Sequence, residues 1–218
     1  MNLFELNCRK EKCNAFTGHS LYQINKMINK MTKRSKQAIV SKNKIYKCGV
    51  NLIRKYGFDV VTIEQIAKKA GVSVGTYYYY FESKMDLLKE IFNKADKYFL
   101  EQVEGHIVNG SCKEQIVEFF GRYAEYTLCD GIELIKKLYT SENKMFIVEG
   151  REMQNVLTNI IKAGQIKKEL KKDTPPEALT RMLFVVARGV IFDWCLYDGK
   201  TDLKGEMQNI IGIMVKQL

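Results

Sequence analysis

From residue 35 onward the apolar positions recur at three-, four- and seven-residue spacing, the period of amphipathic helices rather than strands. Ile39, Ile45, Val50, Leu52, Ile53 and Tyr56 mark one face of a first long helix, and Gly57 supplies a natural C′ residue behind it. Thr62 followed by Gln65 is a capping-box signature. Ile63, Ile66 and Ala67 then give a second, short helix its buried face, and Gly71 ends it. Ser73 caps a third helix running through Tyr80. Ser83 and Asp86 start a fourth, with Met85, Leu88, Ile91 and Phe92 as its apolar side. Two short helices joined by a glycine turn predict a helix-turn-helix over about 62–81.

The rest of the chain predicts further helices. Ile116, Phe119, Phe120, Tyr123, Ala124 and Thr127 line one over 111–128, and two more follow at about 131–140 and 146–165. Thr174, Pro175 and Glu177 read as N-cap, first helical position and N3 of the next helix. That helix runs to about Tyr197 and is apolar over most of its circumference: Leu179, Met182, Leu183, Val185, Val186, Val190, Ile191 and Trp194. Such a helix must be covered on all sides. A last helix from Thr201 carries Ile210, Ile211, Met214 and Val215. No strand alternation appears, so the class is all-α. The expected organisation is an extension over 1–30, a three-helix head over 31–97, and a helical body over 98–218. Met31 reads as the natural start of the folded region.

Charge sharpens this division. Residues 31–100 carry 14 basic and 6 acidic side chains, whereas residues 101–218 carry 16 and 17. A basic head on a neutral body points to a polyanion partner at one end, although a plain solvated lysine-rich surface has the same composition. No apolar run is long enough to span a membrane, and no signal-peptide pattern opens the chain, so a cytoplasmic protein with no membrane partner is expected. The six cysteines are scattered without a CxxC pair and read as small buried hydrophobes or free thiols. Cys8, Cys13 and His19 fit no zinc spacing, so no metal and no cofactor are expected. Phosphate-binding, metalloprotease and nucleophile-elbow motifs are absent, His106 is the one histidine beyond residue 30, and no catalytic residue is assigned.

The stretch from Ile45 to Leu88, IYKCGVNLIRKYGFDVVTIEQIAKKAGVSVGTYYYYFESKMDLL, resembles the DNA-binding domain of the tetracycline-repressor (TetR) family of bacterial transcription regulators. Ile45, Gly57, Thr62, Ile66, Ala67, Ala70 to Ser73, Gly75, Thr76, Tyr78, Phe81, Ser83 and Lys84 carry the resemblance without a gap. It implies a homodimer on a palindromic operator, released by a small-molecule effector. It also implies a dimer interface made by the last two helices, about 176–197 and 201–218. The alternatives are a non-specific or architectural DNA-binding protein and, remotely, an all-α enzyme.

Helix-turn-helix proteins present the N-terminal residues of their second helix to base edges. Here these are Ser73, Val74, Gly75 and Thr76, with no Arg, Asn or Gln for bidentate base contacts, so shape and apolar contacts should matter more. Thr62 and the N–H groups behind it suit a phosphate, and the resemblance implies another at Lys84. Lys33, Arg34, Lys36 and Lys42 form a basic approach. Four consecutive tyrosines cannot share a helix face. Tyr77, at a position usually leucine in the family, is expected inward, and Tyr78, Tyr79 and Tyr80 toward the DNA backbone. A leucine better accommodated there would make Tyr77→Leu stabilising. The resemblance further implies an effector pocket, for which Phe119, Tyr123, Tyr126, Tyr139, Phe146, Met153, Leu157 and Trp194 are candidates, each equally readable as core. The aromatics and methionines suit a bulky, largely apolar effector. Arg122, Arg151 and Arg188 are candidate partners for an acidic group on it, or for structural carboxylates.

Overall fold

The computed structural model describes residues 32–218, which divide into two compact units that meet in sequence between Asn93 and Lys94. The extension over 1–30, with Cys8, Cys13 and His19, lies outside the described residues. All regular structure among the described residues is helical.

In the first unit α1 is Lys33–Tyr56, α2 is Ile63–Ala70, α3 is Val74–Tyr80, and α4, Lys84–Gln102, begins here. Thr32 caps α1 by accepting the Ser35 N–H at 3.2 Å. The buried residues of α1 are Ile45, Tyr46, Gly49, Val50 and Ile53, all in its C-terminal half. Ile39 and Tyr56, expected on the inner face, are exposed. A Cβ at Gly49 would lie 2.7 Å from Leu87 Cδ1 and 3.5 Å from Ile66, so any larger residue there would have to displace the Leu87 side chain. On α4 the buried residues are Leu87, Leu88, Ile91, Phe92, Ala95 and Phe99, while Met85 is exposed. The inner stripe therefore includes Leu87 and leaves out Met85.

In the second unit α5 is Cys112–Asp130, α6 Ile132–Leu138, α7 Glu152–Ile166, α8 Pro176–Leu196 and α9 Leu203–Val215. Helix α5 packs on α7 and α9, and α8 on α6, α7 and α9. Phe99, Phe119, Phe120, Tyr123 and Phe184 form the centre, with ring centroids 4.8 Å apart for Phe99–Phe119 and 5.4 Å for Phe120–Phe184. Ser111 and Glu114 make a capping box on α5, and the Glu169 carboxylate accepts the Cys112 N–H. Helix α7 starts at Glu152, six residues later than the expected 146, because residues 144–147 form a separate 3-10 turn. Helix α8 has Pro175 as N-cap and Pro176 at its first position, one residue later than expected. The Thr174 carbonyl instead accepts the Gln165 side-chain amide at 2.8 Å.

Cys48, Cys112 and Cys195 are free thiols. Burial pushes both Cys112 and Cys195 up to about 11, which leaves neither as a thiolate at neutral pH. Cys129 departs from the expectation of free thiols and is disulfide-bonded. Among the described residues no helix is long and apolar enough to cross a membrane.

Candidate nucleic-acid interface and effector site

Helices α2 and α3 are joined by a turn in which Gly71 takes the left-handed conformation (φ 64°, ψ 39°) that ends α2. Thr62 and Gln65 form the full capping box: the Gln65 N–H reaches Thr62 Oγ1 at 3.2 Å, and the Thr62 N–H reaches Gln65 Oε1 at 3.0 Å. Ser73 caps α3, accepting the Thr76 N–H at 3.0 Å, and its hydroxyl lies 2.9 Å from Thr76 Oγ1. The Ser73 and Thr76 hydroxyls thus hold each other at the entrance of α3. Val74 is half-buried and Gly75 exposed. A Cβ at Gly75 would meet only Ser73 Oγ, at 3.8 Å. Nothing inside the head requires glycine there.

The tyrosine run divides as helix geometry demands. Tyr77 is fully buried, and its hydroxyl donates to the Ser83 carbonyl at 3.1 Å, tying α3 to the start of α4. Phe81 is buried one turn on, with its ring centroid 5.7 Å from that of Tyr77. Tyr78 and Tyr79 are exposed, and Tyr80 is half-buried beneath Tyr79 in an edge-on contact with centroids 4.9 Å apart.

The basic residues fall into two groups. Lys33 and Arg34 are exposed in the first turn of α1. Lys42 is bonded to Glu90 at 3.0 Å. Lys84 turns inward: its ammonium donates to the Phe58 and Val61 carbonyls, both at 2.6 Å, and lies 4.6 Å from the Phe58 ring centre. It clasps the α1–α2 loop, and one of its three N–H donors remains for another acceptor. At the start of α2 the Glu64 carboxyl is held below its usual range by its own backbone N–H and by the Thr62 hydroxyl. Glu64 thus puts a negative charge in the first turn of α2 beside Thr62, which disfavours a phosphate there, a feature the sequence reading missed although a Glu in a first helical turn signals it.

The effector candidates separate by burial. Phe119, Tyr123, Met153, Leu157 and Trp194 are buried in the second unit, whereas Tyr126, Tyr139 and Phe146 are half-buried. Tyr123 and Tyr139 place their hydroxyls 3.0 Å apart, and the Tyr139 ring lies against Phe146 with centroids 4.6 Å apart. Burial pushes both phenols up, so both are neutral donors around pH 7. Among the described residues Trp194 Nε1 is the one buried side-chain polar atom without a hydrogen-bond partner.

A three-helix head with an exposed, capped second motif helix, joined in sequence to a separate all-helical unit, is the architecture of a helix-turn-helix transcription regulator. Residues 45–91 match the family model described as bacterial regulatory proteins, tetR family. The fatty acid metabolism regulator protein of Bacillus subtilis (strain 168) is 23% identical over 178 residues, covering 78% of this chain and 92% of its own. The crystal structure of the Bacillus subtilis regulator FadR with stearoyl-CoA superposes with a TM-score of 0.62 at 22% identity, over 80% of this chain and 98% of that one. Thermus thermophilus FadR, a TetR-family repressor solved with lauroyl-CoA, gives a TM-score of 0.56 at 22% identity, over 77% and 90%. Residues 45–91 thus carry a DNA-binding domain of the TetR family of bacterial transcription regulators, and the similar proteins are regulators rather than enzymes.

Proposed function

We propose that this chain is a homodimeric repressor that binds a palindromic operator in the cytoplasm and is released by an apolar, acyl-type effector. The observation that carries the DNA-binding part is the exposed entrance of α3. Ser73, Val74, Gly75 and Thr76 lead into α3 beside the outward hydroxyls of Tyr78 and Tyr79. Gly75 leaves the helix backbone bare at the point where base edges would lie. In this reading Val74 and Thr76 touch bases, Tyr78, Tyr79 and Tyr80 donate to phosphates, and Lys33 and Arg34 reach the flanking backbone. Lys84 offers phosphate its remaining N–H. Lys42 and Thr62 join only when Glu90 and Glu64 give way.

Two further observations support the dimer and the effector. Met182, Val185, Phe192 and Leu196 on α8, with Ile210 and Ile213 on α9, expose an apolar stripe on the two last helices. Pairing such stripes across a twofold axis would bury them, and a dimer on a palindrome needs its two reading helices about one DNA turn, roughly 34 Å, apart. The similar regulators solved with stearoyl-CoA and lauroyl-CoA favour an acyl-CoA or related effector, as does the aromatic interior around Phe119 and Tyr123. Effector binding would favour a conformation with wrongly spaced heads, so DNA affinity falls by the ratio of effector affinities for the two states. Gel-shift titration on fragments of the gene's own upstream region, with and without lauroyl-CoA, tests the reading.

A further inference from the structure

The structure separates three arginines that the sequence leaves equivalent. Arg122 is exposed and donates through Nε to Glu118 Oε1 at 2.8 Å. Arg151 is committed to Asp96 through Nε at 2.9 Å and Nη2 at 3.1 Å. Arg188, half-buried on α8, has no carboxylate partner among the described residues. Its Nη1 donates to the Phe146 carbonyl at 3.2 Å, and its guanidinium lies 5.9 Å from the Phe146 ring centre. A guanidinium has five N–H donors, so most of its capacity is open. A half-buried charge without a counter-charge is costly, and a ligand anion offsets that cost.

The surroundings fit such an anion. Phe146 stacks on Tyr139, whose hydroxyl is 3.0 Å from that of Tyr123. One phenol must donate to the other, which leaves one O–H proton for a third group. Directly behind stands the apolar core, with the Phe120 and Phe184 ring centroids 6.3 and 5.8 Å from that of Tyr123.

We infer that Arg188, with the Tyr123–Tyr139 pair, forms an anion site that receives the acidic head of an apolar-tailed effector, a carboxylate or a phosphate. The inference rests on the effector-responsive reading and names the subsite that would discriminate among ligands. Arg188 grips the head, the free phenol proton supplies a second bond, and Phe146 covers the junction between head and tail.

Calorimetric titration of the full chain with dodecanoate, lauroyl-CoA and dodecanol tests it. At least one of the two anions should bind about tenfold or more tighter than the alcohol, the effect of a charge-assisted bond. Which anion is preferred distinguishes a carboxylate head from a phosphate one. Arg188→Gln should bring that preference within about twofold while leaving dodecanol affinity unchanged, and Arg188→Lys should retain part of it. Tyr139→Phe, which keeps the ring, should lower the preference severalfold. A preference that survives Arg188→Gln and Tyr139→Phe overturns the site. Equal affinity of the native chain for acid, thioester and alcohol also overturns it, while leaving an apolar effector in place. Binding of none of the three overturns both the site and the effector reading.

Discussion

Asp96 on α4 accepts three hydrogen bonds from the start of α7: two from the Arg151 guanidinium, at 2.9 and 3.1 Å, and one from the Met153 N–H at 3.2 Å. Arg151 stands at the N-cap of α7, and a guanidinium has no acceptor with which to cap a helix. The carboxylate from α4 does so instead, and neutralises the arginine in the same contact. Both side chains are largely buried.

Removing one partner therefore leaves a buried charge alone. Arg151→Ala or Asp96→Ala should destabilise the second unit by about 3 kcal/mol in urea unfolding. The double variant should lose much less than the sum of the two, since neither charge is then stranded.

Tyr77 carries an opposite expectation from the one its family position implies. Its hydroxyl holds the Ser83 carbonyl, so leucine would not be the better fit. Tyr77→Phe should cost about 1 kcal/mol and Tyr77→Leu more, with DNA affinity of the folded fraction unchanged. Tyr78→Phe should do the reverse: little change in melting temperature and weaker DNA binding.

Gly75 separates stability from binding. Alanine fits without a clash and is the better helix former, so Gly75→Ala should stabilise the head by up to about 1 kcal/mol. If the backbone approaches DNA there, the same methyl should weaken DNA binding by an order of magnitude or more. Parallel thermal melts and gel shifts check both signs.

Asp86 gives a pH dependence. Its carboxyl is held below the usual range, first by the Lys89 hydrogen bond and also by the Ser83 N–H and hydroxyl that start α4. A depressed folded value means the stabilisation is present above the unfolded value, near 4, and is lost as pH falls through the folded one. Melting temperature should fall below about pH 4 more steeply for the native chain than for Asp86→Asn.

Local signals were legible in the sequence and remote ones were not. The capping box of Thr62 with Gln65 and the Ser73 cap on the Thr76 N–H act over three residues, so their elements stand where the sequence put them. The two carbonyls that hold Lys84 lie 23 and 26 residues before it, and nothing local announces them. Met85 and Leu87 are both apolar and flank Leu88 on opposite sides, about 200° apart around the helix. The closeness of α1 at Gly49 selects Leu87. Adjacent prolines offer two first positions for α8, and the Gln165 amide on the Thr174 carbonyl goes with the later one. For the effector site the residue types were readable, but only the ion pairs of Arg122 and Arg151 single out Arg188.

The most direct test of ligand-released, sequence-selective binding is one gel-shift series. The full chain is titrated against fragments tiling its own upstream region at two salt concentrations, with and without lauroyl-CoA. One fragment should be retained far more tightly than the others, retention should weaken with salt, and the acyl-CoA should release it. Equal retention of every fragment, unaffected by the ligand, would contradict this and favour an architectural DNA-binding protein.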